Sequence, residues 1–72
     1  MKRVYRLEEL DCANCAAKME AAIRKIPGVN SATINFFCQK LTIDAEDGAF
    51  DGVLQQAARA VRKIEPDCRI IL

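Results

Sequence analysis

Cys12 and Cys15 stand three positions apart in the stretch "LDCANCAAKMEAAI", and Asp11 directly precedes the first of them. A Cys-x-x-Cys at a loop-to-helix junction lets both sulfurs converge without distorting the backbone. A helix N-terminus offers unpaired N–H groups and partial positive charge, which lower a thiol pKa from about 8.5 toward neutrality. Thiolates are the ligand form for soft metals. Two sulfurs suffice for Cu(I) in a near-linear arrangement, whereas Zn²⁺ and its heavier relatives take about four donors. Asp11 can add an oxygen and a further negative charge. Two thiolates and a carboxylate neutralise a doubly charged ion with one charge to spare, and on Cu⁺ the surplus is larger. Charge matching therefore favours Cd²⁺, Zn²⁺ or Pb²⁺ and ranks Cu⁺ behind them, as a preference and not an exclusion.

The same pair also has two metal-free readings. A dithiol redox couple is the usual rival of a metal-binding Cys-x-x-Cys. Here the intervening residues are Ala13 and Asn14, without proline, and the chain contains no tryptophan. A structural disulfide needs an oxidising compartment. The opening "MKRVYRLEEL" has basic residues but no apolar core of a signal peptide, so free thiols in a cytosolic protein are expected. Asp11 has an alternative as a solvated loop residue or a helix cap. Cys38 and Cys68 are candidate additional ligands, but free cysteine also behaves as a small apolar residue, and packing is the stronger reading for both.

These residues need elements to position them. Val4, Tyr5, Leu7 and Leu10 suggest a first strand over Arg3 to Leu10. A loop over Asp11 to Asn14 follows, with Asn14 as the expected N-cap. Met19, Ile23 and Ile26 recur at helical spacing from Cys15 to Ile26, where Pro27-Gly28 ends the helix. Ala32, Ile34 and Phe36 alternate with Ser31, Thr33 and Asn35. After a turn around Phe37 to Gln39, Leu41 and Ile43 continue the alternation, which is the pattern of a hairpin. Phe50, Val53, Leu54, Ala57, Val61 and Ile64 form an apolar stripe on a second helix over Asp51 to Ile64. Pro66-Asp67 stops it, and "CRIIL" closes the chain as a strand.

The order β-α-β-β-α-β, with right-handed crossovers, predicts an α+β fold. It is a ferredoxin-like βαββαβ sandwich, a four-stranded antiparallel sheet with two helices on one face. This order is wrong for a thioredoxin-type protein. Chain direction places the first strand–helix loop, the hairpin turn and the last helix–strand loop at one end, so all four cysteines are expected at the same pole.

Size and charge narrow the function further. A chain of 72 residues with net charge +1 is one small domain, burying only about 60% of its unfolded surface. Any chemistry should sit at the surface. Basic residues concentrate only at Lys2-Arg3 and Arg62-Lys63, which is no stripe for nucleic acid. No apolar run approaches the roughly 20 residues of a membrane span, so no membrane contact by the domain itself is expected. There is no histidine, no phosphate-binding glycine loop and no nucleophile beside a base, so no catalytic residue is assigned.

At "DCANC", followed by an alanine-rich helix and "IPGV", the sequence resembles the heavy-metal-associated domain over Val4 to Leu72. Such domains occur as small metallochaperones and as N-terminal extensions of metal-transporting P-type ATPases. Copper and mercury members usually carry Gly-Met-Thr/x-Cys-x-x-Cys, where this chain has Glu9-Leu10-Asp11 before the first cysteine. The aspartate is similar to the Cd/Zn/Pb-exporting ATPases. The resemblance implies Asp11, Cys12 and Cys15 as metal ligands. Where copper members often place lysine, tyrosine or phenylalanine, this chain has Glu65-Pro66-Asp67-Cys68, an acidic loop suited to a divalent ion.

The expectation is a single metal-binding domain over 1–72, a segment of a longer transporter whose ATP hydrolysis lies elsewhere. It would sit at the cytosolic face of the membrane, where it would sense metal or deliver it to the transport core. A metal-bridged dimer is a further expected partner state. The alternatives are a free-standing metallochaperone for Cu(I) or a divalent ion, and a dithiol oxidoreductase.

Overall fold

Alternating apolar and polar residues build the central hairpin of this computed structural model, which describes residues 1–71. The elements are β1 (Lys2–Glu8), α1 (Ala13–Arg24), β2 (Val29–Asn35), β3 (Lys40–Ala45), a 3₁₀ turn (Asp47–Ala49), α2 (Phe50–Ile64) and β4 (Arg69–Ile71). The strands form one antiparallel sheet in the order β2-β3-β1-β4. This is the ferredoxin-like arrangement that the sequence predicts.

One face of the sheet carries Leu7, Ala32, Leu41 and Ile43, and both helices bury their apolar stripes against it. Met19 and Ile23 of α1 and Val53, Ala57 and Val61 of α2 are sealed from solvent. On β1 the alternate residues Lys2, Val4, Arg6 and Glu8 face outward and are exposed.

Several boundaries differ from the sequence reading. Strand β1 ends at Glu8 and not Leu10, because Glu9 adopts a left-handed backbone with φ 62°. That reversal turns Leu10 inward, where it is fully buried. The expected N-cap, Asn14, lies inside the first turn of α1, and Cys12 is the cap instead. The cysteine sulfur substitutes for the usual oxygen as acceptor for a first-turn N–H, which moves the helix start two residues upstream. Helix α1 ends at Arg24, short of Ile26, because Pro27 disfavours helical backbone at the residue before it. Phe36 belongs to the hairpin turn, though its ring still packs on the core. Cys68 precedes β4, and the expected last strand residue, Leu72, lies outside the described residues.

Gly28 has φ +96°, and a Cβ there would come within 3.2 Å of the Ala49 Cβ. Glycine therefore makes both the turn and the close approach. Glu20 and Arg24, four residues apart on α1, form an ion pair at 3.0 Å that does more than stabilise the helix. Glu20 accepts the Ile34 N–H at 2.7 Å, and Arg24 donates to the Ala32 carbonyl at 2.8 Å. Both groups lie on the outer strand β2, so the pair covers part of an open sheet edge.

Three loops meet at one pole. The Gln39 side chain of the hairpin turn donates to the Leu10 carbonyl at 2.7 Å. Glu65, at the end of α2, reaches the Cys15 sulfur at 3.8 Å.

Candidate metal centre

Cys12 has an extended backbone, φ −124° and ψ 116°, which points its side chain back over the first turn of α1. Its sulfur accepts the Cys15 N–H at 3.2 Å, and its carbonyl accepts the Ala16 N–H at 3.0 Å. The cap therefore satisfies one of the donors that a helix start leaves free. Because Cys15 lies three residues on, its side chain rises beside the cap. Both thiols are half-buried, open to solvent on one side.

Electrostatics makes the two thiols unequal. Cys12 is held below its ordinary pKa, first by a hydrogen bond from the Cys15 thiol and then by the Cys15 N–H. Cys15 is pushed up to about 11, first because its thiol donates to Cys12, then by burial and by the charges of Cys12 and Glu65. The pair thus holds a proton on Cys15 and favours negative charge on Cys12. The arrangement can offer one thiolate at once and a second when a cation displaces the remaining proton.

Glu65 is the residue whose role the sequence reading left unassigned. It caps the C-terminal end of α2 with extended backbone, φ −137° and ψ 99°, and the Cys15 thiol faces its Oε2. The only signal in the sequence was the acidic character of the loop from Glu65 to Cys68.

The other candidates are distributed differently. Asp11 is exposed beside Cys12. Its charge reaches the Cys68 thiol, which is raised by burial first, then by Glu65 and Asp11. Cys68 is buried in the core, 1% exposed, which matches its packing reading. Cys38 is exposed on the hairpin turn, where its N–H donates to the Asn35 Oδ1 at 3.1 Å; it does not pack. Among the described residues, no three cysteine, aspartate or glutamate side chains form a ready-made metal cluster. The structure joins Cys12 to Cys15 and Cys15 to Glu65, and leaves Asp11 at the margin.

Comparison with known proteins identifies the architecture. The family model described as the heavy-metal-associated domain matches residues 4–67. The chain belongs to this family. Over 66 residues it is 35% identical to the cadmium, zinc and cobalt-transporting ATPase of Bacillus subtilis, an alignment covering 92% of this chain and 9% of that protein. It is 34% identical over 61 residues to the zinc/cadmium/lead-transporting P-type ATPase of Escherichia coli, covering 81% of this chain and 8% of that protein. The domain therefore spans only about a tenth of the length of these relatives. Among solved structures, the N-terminal domain of ZntA in the apo form superposes with a TM-score of 0.73 at 30% identity, covering 99% of this chain and 92% of that one. The CopZ metallochaperone shares the fold, with a TM-score of 0.76 at 20% identity, covering 99% of this chain and all of the other.

Family membership and the Cys12–Cys15 pair together support metal binding. The donor set fits a soft cation: two sulfurs converge at a solvent-open helix start, and a carboxylate faces one of them. No helix among the described residues is long and apolar enough to cross a membrane.

Proposed function

We propose that this domain captures a soft divalent cation, Cd²⁺, Zn²⁺ or Pb²⁺, through the Cys12 and Cys15 sulfurs with carboxylate oxygen from Asp11 and Glu65. The observation that carries the reading is the Glu65 Oε2 at 3.8 Å from the Cys15 sulfur. Two thiolates with one or both carboxylates give a net anionic donor set, which suits a 2+ ion better than Cu⁺. Asp11 joins by rotation of an exposed side chain and does not have to be prearranged.

The cation is cargo. A surface loop leaves coordination positions open, so an acceptor's ligands can enter before those of the domain depart. In this reading the domain is the N-terminal part of a metal-transporting P-type ATPase on the cytosolic side, and it senses the cation or delivers it to the transport core. A second copy can supply two more sulfurs to a large ion, giving a metal-bridged dimer.

Competition titration of the reduced domain against a chromophoric chelator tests the reading, with Cd²⁺, Zn²⁺, Pb²⁺ and Cu⁺ in parallel. Stoichiometric retention of a divalent ion, weakened by Asp11→Ala and by Glu65→Gln, is the expected result. Failure to retain any of the three divalent ions would overturn it. Cu⁺ is the specific competitor, since the N-terminal domain of a potential copper-translocating P-type ATPase from Bacillus subtilis is 26% identical with a TM-score of 0.75. Cu⁺ binding that is indifferent to both carboxylates, with weak divalent binding, would favour that alternative.

A further inference from the structure

Gln39 occupies the last position of the hairpin turn in a left-handed backbone, φ 54°. Its carbonyl accepts the Leu7 N–H at 2.8 Å, and its side-chain amide donates to the Leu10 carbonyl at 2.7 Å. These bonds lie on either side of Glu9, the other non-glycine residue with positive φ among those described, at 62°. A left-handed conformation costs an ordinary residue on the order of 1–2 kcal/mol and persists only when its surroundings over-determine it. At Glu9 the surroundings are the burial of Leu7 and Leu10 and the two bonds to Gln39. The turn is itself fixed, because Asn35 Oδ1 accepts the Cys38 N–H at 3.1 Å.

The segment so held leads directly into Asp11 and Cys12. Leu10 is the last residue anchored before the sulfur that caps α1, so its carbonyl sets the direction in which the chain enters the helix. We infer that Gln39 is a positioning residue for the metal loop: its side-chain amide, bonded to the Leu10 carbonyl, keeps the Asp11–Cys12 segment in the geometry that presents the Cys12 sulfur to the cation. This rests on the metal-binding reading above and adds a residue distant in sequence whose side chain bonds to the Leu10 carbonyl and not to either sulfur.

Without that bond, the metal-free loop samples relaxed conformations in which Cys12 no longer caps α1. Binding must then draw on the fraction that remains competent, and apparent affinity falls by that fraction. Loss of one ordinary intramolecular hydrogen bond corresponds to about a 2- to 12-fold change in population.

The test compares Gln39→Met, which keeps size and removes the donor, with Gln39→Lys, which restores a donor. Two readouts are taken: Cd²⁺ affinity by chelator competition, and amide hydrogen exchange at Cys15 in the metal-free protein. The Met variant should bind Cd²⁺ about 2- to 12-fold more weakly with an unchanged cadmium–thiolate absorption wavelength. Its Cys15 amide should exchange faster, and the Lys variant should recover both. Unchanged exchange at Cys15 in the Met variant overturns the inference, as does faster exchange with unaltered affinity, which would reduce Gln39 to a part of the scaffold. If the unsubstituted domain retains none of Cd²⁺, Zn²⁺ and Pb²⁺, the metal reading falls and the inference with it, an outcome distinct from an unsubstituted domain that binds while the Met variant leaves Cys15 exchange unchanged.

Discussion

Glu65 and Cys15 are 50 positions apart in the chain, yet the Glu65 carboxylate faces the Cys15 thiol at 3.8 Å. The contact ties the end of α2 to the start of α1 and adds an acidic group to a sulfur pair. It also raises the cost of ionising Cys15, since Glu65 is among the charges that push that thiol upward. A divalent cation bound as proposed would remove this conflict, because it would neutralise both groups together.

Glu65→Gln should therefore weaken Cd²⁺ or Zn²⁺ binding by at least roughly 10- to 100-fold, the usual cost of removing a group that only supports a metal ligand and so a floor for one that supplies an oxygen itself. Cu⁺ affinity should change much less, because the lost negative charge matters less to a monovalent ion. Parallel titrations with both classes of metal check this. An equal loss for Cu⁺ and Cd²⁺ would show that Glu65 acts on the fold and not on charge selection.

Cys12 has two roles that substitution can separate. As N-cap, its sulfur accepts the Cys15 N–H at 3.2 Å; as a thiolate, it would hold metal. Serine preserves an acceptor at the cap, whereas alanine removes it at a typical cost of about 1 kcal/mol. Urea unfolding should place Cys12→Ser near the parent domain and Cys12→Ala below it. Neither variant should retain stoichiometric Cd²⁺. A serine variant as unstable as the alanine one would mean that the capping bond is specific to sulfur.

Much of this was legible in the sequence, for identifiable reasons. The alternation through Ala32, Ile34, Leu41 and Ile43 and the helical recurrence of Val53, Ala57 and Val61 each report burial on one face, and all but the half-buried Ile34 are fully buried. The Cys-x-x-Cys spacing is local, so its meeting at a helix start could be read directly. The start of α1 differs from the one the sequence predicts because Asn14 is a better intrinsic cap than cysteine, and the left-handed turn at Glu9 has no glycine to announce it. Glu65 and Gln39 reach the site through tertiary contacts, which no periodicity encodes. Cys38 and Cys68 look alike in sequence, but one lies on an exposed turn and the other is buried just ahead of the last strand.

The unequal thiols give metal binding a defined pH dependence. A cation binds thiolates, so each thiol still protonated in the free protein must release its proton. Cys15, at about 11, is protonated throughout the neutral range. Affinity should thus rise about tenfold per pH unit where Cys12 is already ionised, and about a hundredfold per unit below the Cys12 pKa. The fold responds in the opposite sense at Cys15. Its raised pKa means that stability is full below the thiol's ordinary value and is lost as pH climbs through about 11. Cys12 is lowered, so its contribution is present above its ordinary value and is lost as pH falls through the folded one. Chelator competition across the neutral range measures the first effect, and affinity independent of pH would contradict the proton assignment.

A last consequence concerns strand β1. The Tyr5 hydroxyl is buried without a hydrogen-bond partner among the described residues, although its strand pairs regularly, Tyr5 lying opposite Leu41. A hydroxyl taken out of water with nothing to bond costs about 1–3 kcal/mol, whereas a phenyl ring in the same place costs nothing of that kind. Tyr5→Phe should therefore stabilise the domain, by about 1 kcal/mol after allowing for local relaxation. That corresponds to a rise in Tm of roughly 4–8 °C for a domain of this size. Cd²⁺ affinity should stay where it was, because Tyr5 bonds to none of the residues that shape the metal loop. Calorimetry on the metal-free protein, paired with the chelator titration, reads both quantities. A lower Tm would mean that the hydroxyl is bonded in solution, through a trapped water, and that this polar contact stabilises the fold.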